Sequence, residues 1–532
     1  VSGAHATISH HACHVQGDNQ MRYDCTVNLT ALAASYRIGV RPTSGGGAWR
    51  WGEWTAAAEN NQTLWNFKPG VAYQYRVESD NGDAATASLG TPTLPTDLSG
   101  ITLTLDGEVD GAGAPEYETR YVLLDTTDCA NTKSYLVAVN VFRNPATGGG
   151  LVPFISWYHD IDEATGLTGA EITGTEVVGE DADGGMLVIV DKRHVYQWNW
   201  AGQEVHHKDY SANCSNAVDD FGPCPHHAAY SASTGETWIV TARLDPATPH
   251  TSGPWSTCAA DEYFVNDGLD VLDSSWTTVT SSVSLFADYA DTPYDPNVYE
   301  GPSPPSAPAG CDTPYYPNDL FGGGGEIDWT HLNSVTPYTV GGVTYAIVSL
   351  KDFNEIALLA DPALVGGEAD WVINGEVQDS RPHTSGSALT VSIDNGVISG
   401  LAEFSDQHDV RYANGLLQFL DNNNEGGHDS SSRVLRLDID AAGGNAEIVA
   451  NFVVTDRGGD PQTCPGLGSA RVVPGTNGAS VVALCQAARM VSELNDPLGN
   501  ETAAMMTLTA TCSAGDVKGW YRAYPLDSLG GN

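Results

Sequence analysis

The sequence predicts an all-β protein, and three observations carry the prediction. Glycine occurs 58 times in 532 residues, and Asp-Gly and Asn-Gly turns are frequent, the pairs that tight hairpins favour. Short runs of β-branched and aromatic residues lie between such turns, as in Asp183-Gly-Gly-Met-Leu-Val-Ile-Val190 and Thr234-Gly-Glu-Thr-Trp-Ile-Val240. From Gly100 onward a weak unit recurs: a turn containing Gly, an apolar strand, a second strand ending in Asp or Trp, and another Gly turn. Its irregular spacing and long insertions suit a β-propeller with decorated loops, in which radial closure protects strand edges that an open sheet would expose. A large sandwich is the competing architecture.

In chain order, residues 1–97 read as a separate β-sandwich module. Tyr36–Val40, Trp49–Trp54, Leu64–Phe67 and Tyr73–Val77 alternate apolar and polar residues, with Pro69-Gly70 turning into the last run. The module is similar to a fibronectin type III domain. Its opening HATISHHACH holds His5, His10, His11, Cys13 and His14. That spacing matches no familiar zinc site, so an exposed terminal strand with one disulfide cysteine is the preferred reading. Pro92–Pro95 marks a linker, and residues 98–532 form the second domain. Further copies of its repeat are Val340–Val348, Asn414–Phe419 with Ser432–Leu437, and Asn477–Ala483. The Pro- and Tyr-rich insertion Thr251–Tyr316 is too long for a turn. It is expected to cover one face, with Trp255, Tyr263, Phe264, Tyr289, Tyr294, Tyr315 and Tyr316 either shaping an aromatic pocket or packing the insertion down.

Charge and cysteine content narrow the setting. Sixty-seven acids against 23 bases give a formal charge of -44, which disfavours nucleic acid and anionic membrane surfaces as partners. No apolar run is long enough to span a bilayer, and Val1 opens no signal-peptide pattern, so the chain reads as already processed. Ten cysteines without a CxxC pair suit five disulfides in an oxidising, extracytoplasmic compartment, periplasmic or secreted. Proximity suggests Cys13 with Cys25, Cys214 with Cys224, Cys258 with Cys311 and Cys464 with Cys485. Cys129 and Cys512 would then tie the ends of a closed propeller, although spacing alone does not fix connectivity. Asp181-Ala-Asp-Gly184 and Asp421–Glu425 with Asp429 offer calcium-type ligands without completing the EF-hand pattern. Structural calcium is thus admitted, and no cofactor is required. Asn61-Gln-Thr63 has the form of a glycosylation sequon.

The chemistry-bearing residues gather in three stretches. DWTHLNSV, Asp328–Val335, follows the run Gly322–Gly325 and sets His331 and Asn333 two apart, on one face if the segment is extended. SDQHDV, Ser405–Val410, and PHHA, Pro225–Ala228, supply further histidines just before strand-like runs. His227, His331 and His408 each precede a strand by a similar interval, so a propeller would bring three imidazoles to one mouth of its channel. Such a trio could ligate zinc, which gives a metal-dependent hydrolase or lyase as one reading.

DWTHLNSV, the strand ending Ala346-Ile-Val-Ser-Leu-Lys351, and QHDVRYANGLLQFLDN (Gln407–Asn422) resemble the signatures of the bacterial arylsulfotransferases, or aryl-sulfate sulfotransferases. The likeness spans residues 100–520 loosely and is specific around the histidine motifs. It implies a six-bladed β-propeller behind a small N-terminal β-domain. It also implies nucleotide-independent sulfuryl transfer from an aryl sulfate to a phenolic acceptor, without a catalytic metal. By the same resemblance His408 matches the nucleophilic histidine, His331 and Asn333 the ligands of the sulfuryl oxygens, and His227 the upstream histidine. The family's strand after HxNSV closes with arginine, where this chain has Lys351, a point charge in place of a planar fork. If activity went with that arginine, the chain is a non-enzymatic extracellular binding or structural propeller.

The chemistry is coherent by itself. Sulfuryl transfer resembles phosphoryl transfer in its loose transition state, so positioned donors can do most of the stabilising. A neutral imidazole attacks sulfur and a second phenol attacks the sulfohistidine, with another histidine moving the proton. No phosphate-binding Gly loop followed by Lys-Ser or Lys-Thr is present for a nucleotide donor. Small phenols are the expected partners, and homo-oligomerisation or a larger assembly through the N-terminal module stays open.

Overall fold

The structure, a computed structural model, describes residues 8–16, 19–30, 33–44, 48–106, 121–141, 153–180, 184–212, 214, 224–246, 263–284, 327–328, 331–340, 342–351, 354–359, 369–375, 387–393, 404–413, 415–422, 431–454, 462–464, 468–473, 480–484, 487–491, 504–512 and 522–526. Among them the chain is all-β. One short α-helix, Ile161–Thr165, interrupts the strands, N-capped by Asp160, which accepts from Glu163 N at 3.1 Å.

Among the described residues the strands form eight sheets. Two are built before residue 91. Ile8–Gln16, Asn19–Leu29 and Asn61–Leu64 make one; Ser35–Pro42, edged by Arg50–Trp51 and Thr55–Ala56, joins Tyr73–Ser79 and Ala84–Gly90 in the other. Tyr73, Tyr75 and Val77 are buried while the residues between them are only half-buried, the alternation of a one-sided core. Two expected strands are shorter than the pattern suggested. In Trp49–Trp54 only Arg50–Trp51 pairs, because the indoles serve another purpose: the Arg37 guanidinium lies over Trp51 and Trp54, and Arg41 over Trp49. In Leu64–Phe67 extension stops at Leu64, since Asn66 turns left-handed with φ 65°. His10, His11 and His14 lie in the terminal strand, which Cys13–Cys25 joins to its neighbour; His5 lies outside the described residues.

The other six sheets follow one another along the chain. The first contains Tyr121–Thr127, Ser134–Asn140 and Phe154–Asp160, and the second Ile172–Gly179, Gly185–Val190, His194–Trp198 and Glu204–Asp209. The third contains Cys224–Ser231, Glu236–Pro246, Tyr263–Leu272 and Val279–Ser284, so residues 263–284 of the expected covering insertion are strands instead; the rest of that insertion lies outside the described residues. Leu332–Val340, Val343–Leu350, Glu355–Leu359 and Ala369–Asn374 make the fourth. His408–Ala413, Leu416–Asp421, Arg433–Asp440 and Asn445–Val453, edged by Thr390–Ile393, make the fifth, and Ser469–Val472, Ser480–Leu484, Ala487–Val491 and Ala504–Cys512, edged by Ile101–Asp106 from the start of this region, the sixth.

Apolar strands buried on both faces, such as Gly185–Val190, give each sheet a face for each neighbour. First and second share a core around Trp157, Val188 and Trp198; second and third around Ile189 and Ile239; third and fourth around Val240 and Val348. Fourth and fifth meet at Ile356 and Phe419, fifth and sixth at Val434 and Val482, and sixth and first at Leu508 and Val137, where Tyr75 and Leu98 from the N-terminal region join. Ala523–Leu526 then pairs with Tyr121–Thr127, returning the chain end to the first sheet. Cys129–Cys512 repeats that tie covalently across a separation of 383 residues. The result is a propeller-like all-β arrangement. Cys214–Cys224 also forms as expected. Cys464 is disulfide-bonded, while Cys485, Cys258 and Cys311 lie outside the described residues, as do Asp181–Asp183 and 423–430 of the acidic clusters. Asp421 itself is paired with Arg433 at 2.6 Å.

Candidate active site

The first strands of the third, fourth and fifth sheets each carry a register slip at the end where the histidines lie. Pro225 faces Thr241 but His227 faces Val240; Leu332 faces Leu350 but Ser334 faces Ser349; His408 faces Leu420 but Arg411 faces Gln418. Each slip is a β-bulge, which bends a strand and re-aims its side chains. The alternation expected for His331 and Asn333 therefore does not hold. The strand begins at Leu332, Asn333 occupies the bulge, and His331 before it is left-handed with φ 45°. Asp406 and Asp409 flank His408 with φ 51° and 55°. Left-handed backbone at non-glycine residues costs on the order of 1 kcal/mol each and persists only where its surroundings enforce it.

The three predicted histidines do converge. Burial holds the His227 imidazole well below its usual range, and Arg522, His226, His408 and His331 all push the same way. His408 is pushed down to about 3 by burial first, then by the Lys351 charge, against a bond to the Asp406 carbonyl that favours protonation, with His331 and Arg522 adding to the lowering. Its Nδ1 lies 2.8 Å from the Asp406 carbonyl oxygen and 3.0 Å from the Asn422 amide. A hydrogen on Nδ1 satisfies the carbonyl. With the Asn422 amide turned so that its otherwise partnerless Oδ1 faces the ring, it satisfies that group too. Nε2 is then the basic nitrogen of a neutral imidazole.

Cations surround this ring. Lys351, only 8% exposed, reaches Asp406 at 3.3 Å, and its backbone N donates to the His331 carbonyl at 3.2 Å. Arg522, just ahead of the last strand, places Nη2 at 3.1 Å from His227 Nδ1 and 2.9 Å from the Asn333 carbonyl. Beneath them Asp409 takes a bidentate grip from Arg471 at 2.8 and 2.7 Å and a bond from Arg411 at 3.0 Å, with Arg522 at 3.7 Å. Burial pushes the Asp409 carboxyl up, but Arg471, Arg411 and Arg522 overcome it and leave the group well below the usual carboxylate range. Glu176 completes the network with Arg411 and Arg471. Arg411, Arg471 and Arg522 thus gather around Asp409, with Glu176 shared by the first two.

Asn333 is placed differently from expectation. Its Nδ2 donates to the Gln407 carbonyl at 2.6 Å, bracing the turn before His408, and its buried Oδ1 has no hydrogen-bond partner. Sequence reasoning missed Arg522, which precedes its strand in no recognisable motif. It also missed Asp406, Asp409 and Asn422, although all three lie inside or beside the quoted SDQHDV and QHDV stretches. Glu355, two strands away, is fully buried with neither carboxyl oxygen partnered, and burial pushes it up to about 8. Among the described residues no three His, Cys, Asp or Glu side chains are grouped to hold a metal ion.

No protein-family model matches the sequence, and no curated protein matches it. Similar solved structures include a GH43 β-1,3-galactosidase with galactodeoxynojirimycin, at 12% identity and TM-score 0.28, covering 74% of this chain and 92% of that one. Another is CoXyl43, a GH43 β-xylosidase/α-arabinofuranosidase from a compost microbial metagenome with xylotriose, at 11% identity and TM-score 0.25, covering 78% and 98%. Likeness at this level carries no argument about what this chain binds or does.

Proposed function

We propose that this protein transfers a sulfuryl group from an aryl sulfate to a phenolic acceptor through a sulfohistidine on His408. The observation that carries the reading is the buried neutral imidazole of His408, its Nδ1 fixed on the Asp406 carbonyl, beside the charge of Lys351. Nε2 attacks sulfur, the S–N bond forms as the S–O bond breaks, and the phenolate departs with a proton. A second phenol then gives up its proton, attacks sulfur and releases Nε2. Arg522 and Lys351 stabilise the charge on the sulfuryl oxygens, so the guanidinium missing at position 351 has a counterpart arriving from the chain end. Asn333 acts by holding the His408 turn. The same reading makes the six successive sheets the six blades of a propeller, residues 98–532, behind a fibronectin III-like sandwich of residues 1–97. The disulfides support an extracytoplasmic location. No helix among the described residues is long and apolar enough to cross a membrane.

The test is intact-mass analysis after mixing the protein with a chromogenic aryl sulfate. Wild type gains one sulfuryl group and releases dye, and His408→Ala does neither. If wild type shows neither adduct nor dye across several donors, the reading falls and a non-enzymatic binding propeller takes its place.

A further inference from the structure

One ionisable pair beside the site has no part in the scheme above. His226 is the extra residue of the bulge between Pro225 and His227, so its side chain is aimed independently of the ladder. Its Nε2 lies 3.0 Å from Asp267 Oδ1, and Asp267 is 2% exposed. The other carboxylate oxygen, Oδ2, accepts from Leu332 N at 2.6 Å, between His331 and Asn333. One buried carboxylate thus anchors His226 to the segment that carries two other site residues. The His226 ring is 5.0 Å from that of His227, and its side chain retains 15% exposure.

His227 is poorly suited to carry a proton. It is 4% exposed, the Arg522 guanidinium lies against both ring nitrogens, and a proton there would face that charge directly. His226 has the opposite surroundings. A carboxylate on one imidazole nitrogen fixes the tautomer, orients the ring and stabilises the imidazolium that forms in a proton transfer.

We propose that His226, braced by Asp267, is the general acid–base of the site, and that His227 with Arg522 serves the sulfuryl oxygens instead. The proposal rests on the sulfuryl-transfer reading. In the first half-reaction Asp267 keeps the hydrogen on Nε2, and Nδ1–H of the imidazolium passes its proton to the phenol oxygen as the S–O bond breaks and the S–N bond to His408 forms. In the second, neutral Nδ1 takes the proton of the acceptor phenol as its oxygen bonds to sulfur and the S–N bond breaks.

The test compares a donor with a good leaving group, 4-nitrophenyl sulfate, and one with a poor leaving group, phenyl sulfate. First-turnover phenol release and His408 adduct mass are followed in wild type, His226→Gln, Asp267→Asn and His227→Asn, each checked by circular dichroism. His226→Gln is expected to lose roughly a hundredfold or more with phenyl sulfate, in the range of general acid catalysis, and less than about tenfold with 4-nitrophenyl sulfate. Asp267→Asn shows the same selectivity in milder form, and His227→Asn slows both donors alike. Equal losses for both donors in His226→Gln, or donor selectivity in His227→Asn, overturn the proposal while wild type still forms its adduct. Absence of an adduct in wild type overturns the sulfuryl reading itself and this inference with it.

Discussion

At the scale of single residues, the candidate site is a set of buried groups whose charge states are set by their neighbours. Lys351 and Arg522 are each placed to meet an anionic group beside His408, and removing one oxyanion donor from such a site costs on the order of a hundredfold or more in rate. Lys351→Met is therefore expected to slow single-turnover dye release by about that factor while thermal unfolding stays cooperative. Glu355 makes a different prediction. Its carboxyl holds a proton in the native state up to about pH 8 that the unfolded chain gives up near its ordinary value of 4.5. Over that window this carboxyl binds more proton in the native state, so its own contribution to stability falls as pH rises, by about 1.4 kcal/mol per unit. In Glu355→Gln that contribution disappears, which urea unfolding of wild type and variant compared between pH 7 and 8, above the histidine range, would measure; an unchanged slope would show that Glu355 is ionised in the native protein.

At the scale of elements, bulges and left-handed residues decide what the strands present. Gly39 in Ser35–Pro42 lets the Trp51 ring lie across the strand, and a Cβ there would come within 2.7 Å of the ring. Gly39→Ala is expected to cost roughly 1–3 kcal/mol, the range for overpacking, read as a lower urea midpoint for the Trp fluorescence transition. The strands around Tyr36, Tyr73, Met186 and Val240 were legible in the sequence because their apolar periodicity follows directly from burial. The bulges at His226, Asn333 and Asp409 were not, since a one-residue slip leaves composition and period almost unchanged. Of the histidines singled out for a similar lead into successive strands, only His331 precedes its strand; His227 lies within Cys224–Ser231 and His408 opens His408–Ala413. Asn333 was misjudged because two-residue alternation assumes a regular strand, and Arg522 escaped notice because its role depends on a pairing with residues about four hundred positions earlier.

At the scale of the molecule, sheet follows sheet until the sixth meets the first, and that junction is fastened by Ala523–Leu526 and by Cys129–Cys512. A cross-link over so long a loop stabilises by on the order of 5 kcal/mol in the chain-entropy view, so Cys129→Ser with Cys512→Ser should lower the thermal midpoint markedly. The acid side is governed by buried histidines. His408 at about 3, His159 at about 4 and His227 well below its usual range stay neutral where the unfolded chain is charged. Below roughly pH 6.5 the unfolded state therefore binds more protons, and stability falls with falling pH. Set against the opposite slope of Glu355, this places maximum stability near pH 6.5, which a pH series of melting curves would locate. The returning strand also makes the seam and the site one element. Arg522 stands immediately before Ala523–Leu526, so the pairing that fastens this strand to Tyr121–Thr127 also sets a guanidinium against His227 and the Asn333 carbonyl. Whatever loosens that pairing withdraws a cation from the histidines.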